Sequence, residues 1–324
     1  MKEILKVKDL AVEFKTPEGL LTAPDGVSFG LNQGEVLGIV GESGSGKSVS
    51  ALAVMGLIPT SNGRIKSGEI TYLDRDLRKE INSIRGKEIS MVFQNPLNSL
   101  NPSLKIGLQL TEVLTAHTKK SKYEATIEAV EIMDKLGIPS PEKLMNRYPF
   151  EYSGGMRQRI MIAMAMLCNP KILIADEPTT ALDVTIQSQI LHLFLQLKEN
   201  FDTSLIFITH DLGVIAQIAD RVMVMYAGKQ MEIASVSDLY EHPKHPYTKE
   251  LLKSIPALDS EHRKEKLPSI KGNVPSLIKP PEGCRFHPRC KFAKEICKKK
   301  SPVKRRVNDT DVWCWLYEEE DKND

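Results

Sequence analysis

The stretch Gly41-Glu-Ser-Gly-Ser-Gly-Lys-Ser48 fits the pattern G-x-x-x-x-G-K-[ST]. It follows the short apolar segment Val36-Leu-Gly-Ile-Val40, which is typical of a buried strand, and it precedes a helix predicted from Lys47 to Leu57. Glycines let successive backbone N–H groups turn toward phosphate oxygens, and the positive N-terminus of the helix points at the same anion. The strand, loop and helix together predict a phosphate-binding loop in an α/β domain.

The two side chains that close this loop have separate predicted tasks. Lys47 is placed to reach the β- and γ-phosphates of a nucleotide, and the Ser48 hydroxyl to ligate Mg²⁺. A chance match to the four fixed positions is expected in about one chain in a hundred of this length, given ordinary glycine usage. The pattern therefore predicts binding and hydrolysis of Mg-ATP.

Composition sets the class of protein. The chain has 324 residues, 41% of them hydrophobic and 27% charged, with a formal net charge of +2. This length suits one large α/β domain with a smaller appendage, and the charge does not demand a nucleic-acid partner. The longest apolar run, Ile160 to Cys168, is far shorter than the roughly 20 residues that cross a bilayer. We therefore expect a protein that is not embedded in a membrane, with Cys168 as a small buried side chain.

Two further segments carry side chains suited to phosphate chemistry. The apolar strand Lys171-Ile-Leu-Ile-Ala-Asp-Glu177 ends in two carboxylates, of which Asp176 suits a contact with Mg²⁺ and Glu177 suits a general base for water. The strand from Ser204 to Ile208 is followed by His210, whose imidazole suits a contact with the γ-phosphate. Taken alone, the adjacent acids also fit a solvated turn, and a single histidine at a strand end is more often structural.

The remaining pattern predicts the organisation of the chain. Near-continuous apolar strands at 172–175 and 204–208 indicate a parallel sheet, and helices are predicted at about 107–118, 122–137 and 156–168. Composition shifts near residue 255 toward proline and cysteine. We expect an ATPase domain at 1–250, a helical subdomain at about 96–158 and a C-terminal extension at 251–324.

Several ordered motifs together resemble the ABC-type ATPases. They are the loop 41–48, then Gln94, Ser153-Gly-Gly-Met-Arg-Gln-Arg159, Asp176-Glu177, Ala181-Leu-Asp183 and His210. The resemblance implies a RecA-like core with an antiparallel β subdomain and a helical subdomain, and it implies two ATP molecules sandwiched between two ATPase subunits. In that arrangement the helix N-terminus at Ser153 is a second anion site, which acts on the ATP of the partner.

The resemblance assigns a role to each matching residue. It implies a nucleotide site of Phe14, Gly41, Ser43, Gly44, Ser45, Gly46, Lys47, Ser48, Val49 and Gln94. It implies Mg²⁺ ligands Ser48, Gln94 and Asp176, catalytic residues Glu177 and His210, the signature residues Ser153, Gly154, Gly155 and Met156, and Asp183 at the dimer interface. Phe14, which would stack on adenine, also fits a core position on an edge strand. Tyr152 and Met156 replace the usual Leu and Gln, and we expect capping by the backbone amides to survive both changes.

Four stretches narrow the resemblance to the ATPases of dipeptide and oligopeptide importers, in particular the D-type subunit. They are Phe14-Lys-Thr-Pro-Glu-Gly19, 148–159, 176–185 and Glu241-His-Pro-Lys-His-Pro-Tyr-Thr248. The resemblance implies a sister ATPase subunit, two transmembrane permease subunits and an external solute-binding protein. It also implies a peripheral location on the cytoplasmic face of the membrane. Nickel importers share this pattern, so the solute stays open.

The four cysteines near the C-terminus form a candidate metal site. Cys284, Cys290, Cys297 and Cys314 are spaced more widely than the paired knuckles of structural zinc sites, and a cubic iron–sulfur cluster tolerates such spread. The family resemblance implies a [4Fe–4S] cluster, with Zn²⁺ or free or disulfide-linked thiols as alternatives. The role of such a cluster, structural or redox-sensing, is open.

Residues 285–306 are rich in lysine and arginine, and the acidic residue in this stretch is Glu295. This basic segment fits a counter-charge to an anionic cluster or simple solvation better than it fits a nucleic-acid surface. A soluble ATPase acting on nucleic acid through this segment is the rival function.

Overall fold

The computed structural model describes residues 2–95, 99–180, 182–254 and 270–318, and it contains two compact units. We call the first the phosphate-loop unit; it comprises Leu5–Gly30, Val36–Asp74 and Thr209–Asp324. The second, the signature unit, comprises Met1–Ile4, Leu31–Glu35 and Arg75–Ile208. Each unit thus combines three segments that are separate in the sequence.

The strands, in chain order, are β1 Glu3–Thr16, β2 Gly19–Asn32, β3 Val36–Val40, β4 Gly63–Tyr72, β5 Arg75–Asp76, β6 Ile89–Val92, β7 Ile172–Asp176, β8 Ser204–Thr209, β9 Arg221–Tyr226, β10 Lys229–Ser235, β11 Arg305–Val307 and β12 Thr310–Val312. The α-helices of the described ranges are α1 Lys47–Val54, α2 Leu77–Ile84, α3 Ile106–His117, α4 Lys122–Lys135, α5 Pro141–Leu144, α6 Gly154–Met166, α7 Val184–Phe201, α8 Leu212–Ile218, α9 Val236–Glu241, α10 Pro246–Lys253 and α11 Glu295–Lys299.

The phosphate-loop unit holds strands of two sheets. In one, β2, β1 and β4 are neighbours in that order, and β1 pairs antiparallel with β4 so that Phe14 faces Gly63. In the other, the order is β11-β12-β10-β9-β3. Strand β3 runs parallel to β9, whereas the remaining pairs are antiparallel. The second sheet is therefore mixed, and its outer strands come from the C-terminal segment.

The signature unit has a parallel β6-β7-β8 arrangement, with Ile89 opposite Ile172 and Ile172 opposite Ser204. All residues of these three strands are buried, as expected for parallel strands covered on both faces. Helix α4 packs against α3 and α6. It begins after Ser121, whose hydroxyl accepts a hydrogen bond from Glu124 N–H in a capping box.

The predicted elements agree with the structure apart from their ends. Helix α1 stops at Val54 instead of Leu57 because Gly56 takes a left-handed φ of 63°. Helix α6 begins two residues before the predicted start at 156, since Ser153 caps it by accepting a hydrogen bond from Met156 N–H. It ends at Met166, two residues before the predicted end at 168. Cys168 is partly buried, whereas the sequence predicted a buried side chain. In the described ranges we find no helix with both the length and the apolar character needed to cross a bilayer.

Candidate functional site

The phosphate loop turns sharply where the buried strand β3 ends. Gly41 has a φ of 154°, and a Cβ placed there would lie 2.1 Å from the carbonyl oxygen of Met225, so this position accepts only glycine. Gly44 and Gly46 also have positive φ values, 76° and 97°. Gly46 caps helix α1, whose first residue is Lys47. The backbone therefore has the shape that the sequence pattern predicts.

The Lys47 side chain is buried and folds back over the loop. Its Nζ donates hydrogen bonds to Gly41 O at 2.8 Å, Glu42 O at 3.2 Å and Ser45 Oγ at 3.4 Å. The ammonium group thus lies among the loop atoms, at the start of a helix whose first N–H groups are directed the same way. This concentration of positive potential suits an anion such as the terminal phosphates of ATP.

Phe14, the predicted adenine partner, is half-buried on β1. A Cβ added at Gly63 would lie 2.7 Å from Phe14 Cε1 and 2.9 Å from Ile58 Cγ2, so the ring lies directly over this glycine. The contact explains why β4 begins with a glycine. Stacking on adenine stays a prediction, as does the alternative of a core position.

The two carboxylates at the end of β7 differ in their surroundings. Asp176 is buried, whereas Glu177 is half-buried and takes a left-handed φ of 46° with its N–H bonded to Ile208 O at 2.9 Å. One carboxylate oxygen of Glu177, Oε2, accepts hydrogen bonds from Gln94 Nε2 at 3.0 Å and from Thr180 Oγ1 at 2.9 Å. The structure therefore brings Gln94 and Glu177 together and fixes one oxygen of the carboxylate.

Thr180 is the neighbour of Glu177 that sequence reasoning missed. Its signal is the i,i+3 spacing to Glu177 in a turn, which the hydrogen bond from Thr180 N–H to Glu177 O at 3.2 Å closes. His210 is exposed and precedes Asp211, which caps α8 by accepting from Gly213 N–H at 2.8 Å. Lys47 and His210 belong to the phosphate-loop unit and Asp176 and Glu177 to the signature unit; that they act in one site stays a prediction.

The signature residues form the start of α6. Ser153 is the N-cap, and both Ser153 and Gly154 are exposed, so the N-terminal end of the helix lies at the surface. Gly155 is needed for packing, because a Cβ there would lie 2.8 Å from Ile186 Cγ2 on α7. Arg157 holds the helix to the preceding turn with a hydrogen bond from Nε to Pro149 O at 2.8 Å. These contacts position a helix N-terminus that is suited to an anion.

The unusual Tyr152 has a local structural explanation. Its ring is buried, and its hydroxyl donates a hydrogen bond to Leu144 O at 2.6 Å. Burial raises the pKa of Tyr152 to about 12, so the hydroxyl stays protonated and remains a donor. The tyrosine therefore fills the apolar position and adds a hydrogen bond that leucine would lack.

Asp183 caps helix α7, since its Oδ1 accepts a hydrogen bond from Ile186 N–H at 2.9 Å. The side chain is exposed. This capping contact gives the residue a structural task within the chain. The predicted interface role is a separate expectation.

The four C-terminal cysteines carry free thiols, and Cys284, Cys297 and Cys314 are buried. Burial raises the pKa of Cys314 to about 12 and that of Cys284 to about 11, and the charges of the neighbouring cysteines add to both shifts. Cys284 and Cys297 are neighbours in the structure, since Cys284 N–H donates a hydrogen bond to Cys297 O at 2.8 Å. Among the described residues there is no set of three or more His, Cys, Asp or Glu side chains arranged to hold a metal ion.

Comparison with known proteins agrees with this geometry. Residues 24–180 match the family described as ABC transporter, and residues 231–297 match the C-terminal region of oligopeptide/dipeptide transporters. The oligopeptide transport ATP-binding protein OppD of Bacillus subtilis is 53% identical, over 97% of this chain and 88% of that protein. OppD of Salmonella typhimurium is 52% identical, over 93% of this chain and 90% of that protein.

A solved structure shows the same fold. It is the dimeric structure of a post-hydrolysis state of an ATP-binding cassette bound to ADP and Pi. It is similar to this chain with a TM-score of 0.64 at 27% identity, and the match covers 72% of this chain and 98% of that one. The fold is thus that of an ABC ATPase cassette, with α/β content and mixed sheets. With relatives about half identical over nearly its full length, the chain belongs to the family of ATP-binding subunits of oligopeptide and dipeptide ABC transporters.

Proposed function

We propose that this chain hydrolyses Mg-ATP between two ATPase subunits and thereby powers the import of dipeptides or oligopeptides. The observation that carries the proposal is the phosphate loop, in which the buried Lys47 Nζ lies among Gly41 O, Glu42 O and Ser45 Oγ. Membership of the transporter family supplies the process that this hydrolysis serves.

The proposed site divides into binding and chemistry. The phosphates are bound by Gly41, Ser43, Gly44, Ser45, Gly46, Lys47, Ser48 and Val49. Phe14 stacks on adenine, and Gln94 is the remaining nucleotide-binding residue. Ser48, Gln94 and Asp176 hold Mg²⁺, which supplies charge neutralisation on the phosphate oxygens. Glu177 accepts the proton of the attacking water, and His210 contacts the γ-phosphate. The hydrogen bonds from Gln94 and Thr180 to Glu177 Oε2 support this assignment, because they hold the carboxylate in a fixed orientation.

The signature residues Ser153, Gly154, Gly155 and Met156 are proposed to act on the ATP of a partner subunit. Support comes from their exposed helix N-terminus and from the dimeric cassette structure bound to ADP and Pi. Asp183 is proposed to lie at that dimer interface. The partners are a sister ATPase subunit, two permease subunits and, indirectly, an external solute-binding protein.

We place the chain on the cytoplasmic face of the membrane, bound to its permease partners. Phe150 supports docking to another protein, because it is a large apolar side chain that is 65% exposed. Its ring stacks on that of Tyr148, with the two ring centroids 5.5 Å apart. As subdivisions we propose a RecA-like core with an antiparallel β subdomain within 1–250, a helical subdomain at about 96–158 and an extension at 251–324.

We propose a [4Fe–4S] cluster on Cys284, Cys290, Cys297 and Cys314. The support is the chemistry of the donor set, four cysteines that are free of disulfides, although their side chains as placed do not form a metal-holding group. Burial raises the pKa of Cys284 and of Cys314, so a bound cluster would have to replace the protons of these two thiols. Anaerobically purified protein should contain iron that is lost on Cys290→Ala and kept on the control Cys168→Ala. One equivalent of zinc without iron would refute the cluster.

The transport function is tested with the assembled transporter in lipid vesicles. Peptide-loaded binding protein should stimulate ATP hydrolysis, whereas nickel-loaded binding protein and DNA or RNA should not. Stimulation by nickel-loaded binding protein alone would show that the transported solute is nickel. Stimulation by nucleic acid in the absence of the permease would favour an ATPase that acts on nucleic acid.

A further inference from the structure

Arg289 of the C-terminal segment is bound to the phosphate loop within the phosphate-loop unit. Its Nη1 and Nη2 donate to the two carboxylate oxygens of Glu42, at 2.8 and 3.2 Å. Nη1 also donates to Tyr226 Oη at 3.1 Å, and the other two donors reach Lys271 O and Ile270 O, each at 3.1 Å. All five N–H groups of the guanidinium are thus used, on a side chain that is only 5% exposed.

This ion pair is stronger than a surface salt bridge. It is bidentate, and the guanidinium also lies over the Tyr226 ring, 5.6 Å from its centroid. Burial alone would lower the pKa of Arg289, but the hydrogen bonds to Glu42 and Tyr226 outweigh it and raise that pKa above its usual value. The group therefore stays charged, and it holds Glu42 in a fixed position.

Glu42 passes this restraint to the phosphate-binding atoms. Its backbone N–H donates to Tyr247 Oη at 3.1 Å. Its carbonyl oxygen accepts from Ser45 N–H at 3.2 Å and from Lys47 Nζ at 3.2 Å. The residue that binds Arg289 through its side chain thus binds Lys47 through its backbone.

The other end of the connection lies in the cysteine-bearing segment. Arg289 ends a short 3-10 helix, His287–Arg289, that lies between Cys284 and Cys290 in the chain. Arg289 N–H donates to Phe286 O at 3.0 Å, and the buried Phe286 ring packs on Tyr247 with centroids 5.3 Å apart. Two routes, through Arg289 and through Tyr247, therefore join this segment to Glu42.

We propose that Arg289 is a positioning residue for nucleotide binding, and that through Glu42 it lets the cysteine-bearing segment set the affinity of the phosphate loop. The proposal rests on the proposed role of residues 41–48 in phosphate binding. Without Arg289, the Glu42 carboxylate, which is 26% exposed, loses its counter-charge beside the incoming phosphates and repels them. The loop also loses the side-chain contact that restrains Glu42, the residue whose carbonyl oxygen binds Lys47.

The test is a double-mutant cycle on the full chain, with the dissociation constant for Mg-ADP measured by calorimetry. Arg289→Ala should weaken binding about tenfold in the wild-type chain but less than about threefold in the Glu42→Gln background, because the two residues act through one contact. Arg289→Lys keeps the positive charge but cannot make the bidentate contact with Glu42, so it should lower ADP affinity by an intermediate amount. Equal losses from Arg289→Ala in both backgrounds would overturn the proposal.

Lys291→Ala is the matched control. It removes the same charge two residues further on, from an exposed ion pair with Glu250 at 3.1 Å, and should leave ADP affinity unchanged. If Arg289→Ala fails to fold, the dissociation constant of Arg289→Lys for Mg-ADP is the test instead. A wild-type value in Arg289→Lys would contradict the proposal. Lys47→Ala distinguishes failure of the Arg289 proposal from failure of the proposed phosphate-binding role of residues 41–48. Wild-type ADP affinity in Lys47→Ala would contradict the phosphate-binding role itself.

Discussion

Gln94 Nε2 donates a hydrogen bond to Glu177 Oε2 at 3.0 Å within the signature unit. The Thr180 hydroxyl reaches the same oxygen at 2.9 Å. Two donors on one oxygen orient the carboxylate plane, as expected for a residue that must be held in place to accept a proton from water. The backbone of Glu177, with its left-handed φ of 46°, is held by Ile208 O.

Glu177→Gln should keep ATP binding and stop turnover. The amide fits the same space but cannot accept the proton, so kcat should fall by about 100-fold or more, while the dissociation constant for ATP changes little. Single-turnover hydrolysis and ATP titration on the same sample separate the two effects. Hydrolysis near the wild-type rate would remove Glu177 as the base.

Thr180→Ala should lower kcat by about three- to tenfold, with KM for ATP unchanged, because Glu177 Oε2 then loses one of the two hydrogen bonds from Gln94 and Thr180 that orient it. Thr180→Ser is the control, since it retains the hydroxyl. Steady-state kinetics of both variants test this. A loss of equal size in the serine variant would show that the methyl group matters instead of the hydrogen bond.

Tyr152→Phe should lower the free energy of unfolding by about 1 kcal/mol, since it removes the hydrogen bond to Leu144 O, which keeps the one from Arg147 N–H. Denaturant titration measures the change. Tyr123→Phe, at a tyrosine that is 76% exposed on α4, is the matched control and should have no measurable effect. An unchanged stability in Tyr152→Phe would contradict the role given to the hydroxyl.

The buried His245 should make stability depend on pH. Its Nδ1 accepts a hydrogen bond from Tyr247 N–H at 3.0 Å, and burial, followed by the charge of Lys249, lowers its pKa to about 3. The unfolded chain binds a proton near pH ~6.5, so between those values it holds more protons than the folded chain. The free energy of unfolding therefore falls as pH falls, by at most ~1.4 kcal/mol per pH unit.

His245→Asn isolates this effect, because asparagine can still cap α10 but does not titrate. Glu232, which accepts hydrogen bonds from Lys244 and His245 N–H groups and whose pKa burial raises, is present in both proteins. The difference in slope between pH 3 and 6.5 therefore reports His245. Parallel curves for wild type and variant would contradict the assignment.

The phosphate loop could be predicted from the sequence, because its pattern of glycines reflects what the backbone needs at each position. In the structure, Gly41 lies against Met225 O, and Gly46 is the N-cap of α1. Strands β7 and β8 were predicted for a similar reason, since buried parallel strands are apolar throughout. The predicted helix ends differ from the structure, because they depend on caps such as Ser153 and on Gly56.

Contacts between distant parts of the chain could not be predicted. Arg289 and Glu42 lie 247 positions apart, and no spacing rule relates them. Thr180 has a short separation from Glu177, yet a threonine in a turn has many possible partners. Tyr152 was recognised as a departure from the family pattern, but its reason, the hydrogen bond to Leu144 O, needed the structure.

The most direct test of the central claim is uptake of a labelled oligopeptide into vesicles that contain the assembled transporter, with ATP supplied on the side of the ATPase subunits. Uptake should require ATP and should be lost in Lys47→Ala, whose loop lacks the ammonium group that faces Gly41, Glu42 and Ser45. Equal peptide uptake by the wild type and by Lys47→Ala would contradict the claim that ATP bound at this loop drives import.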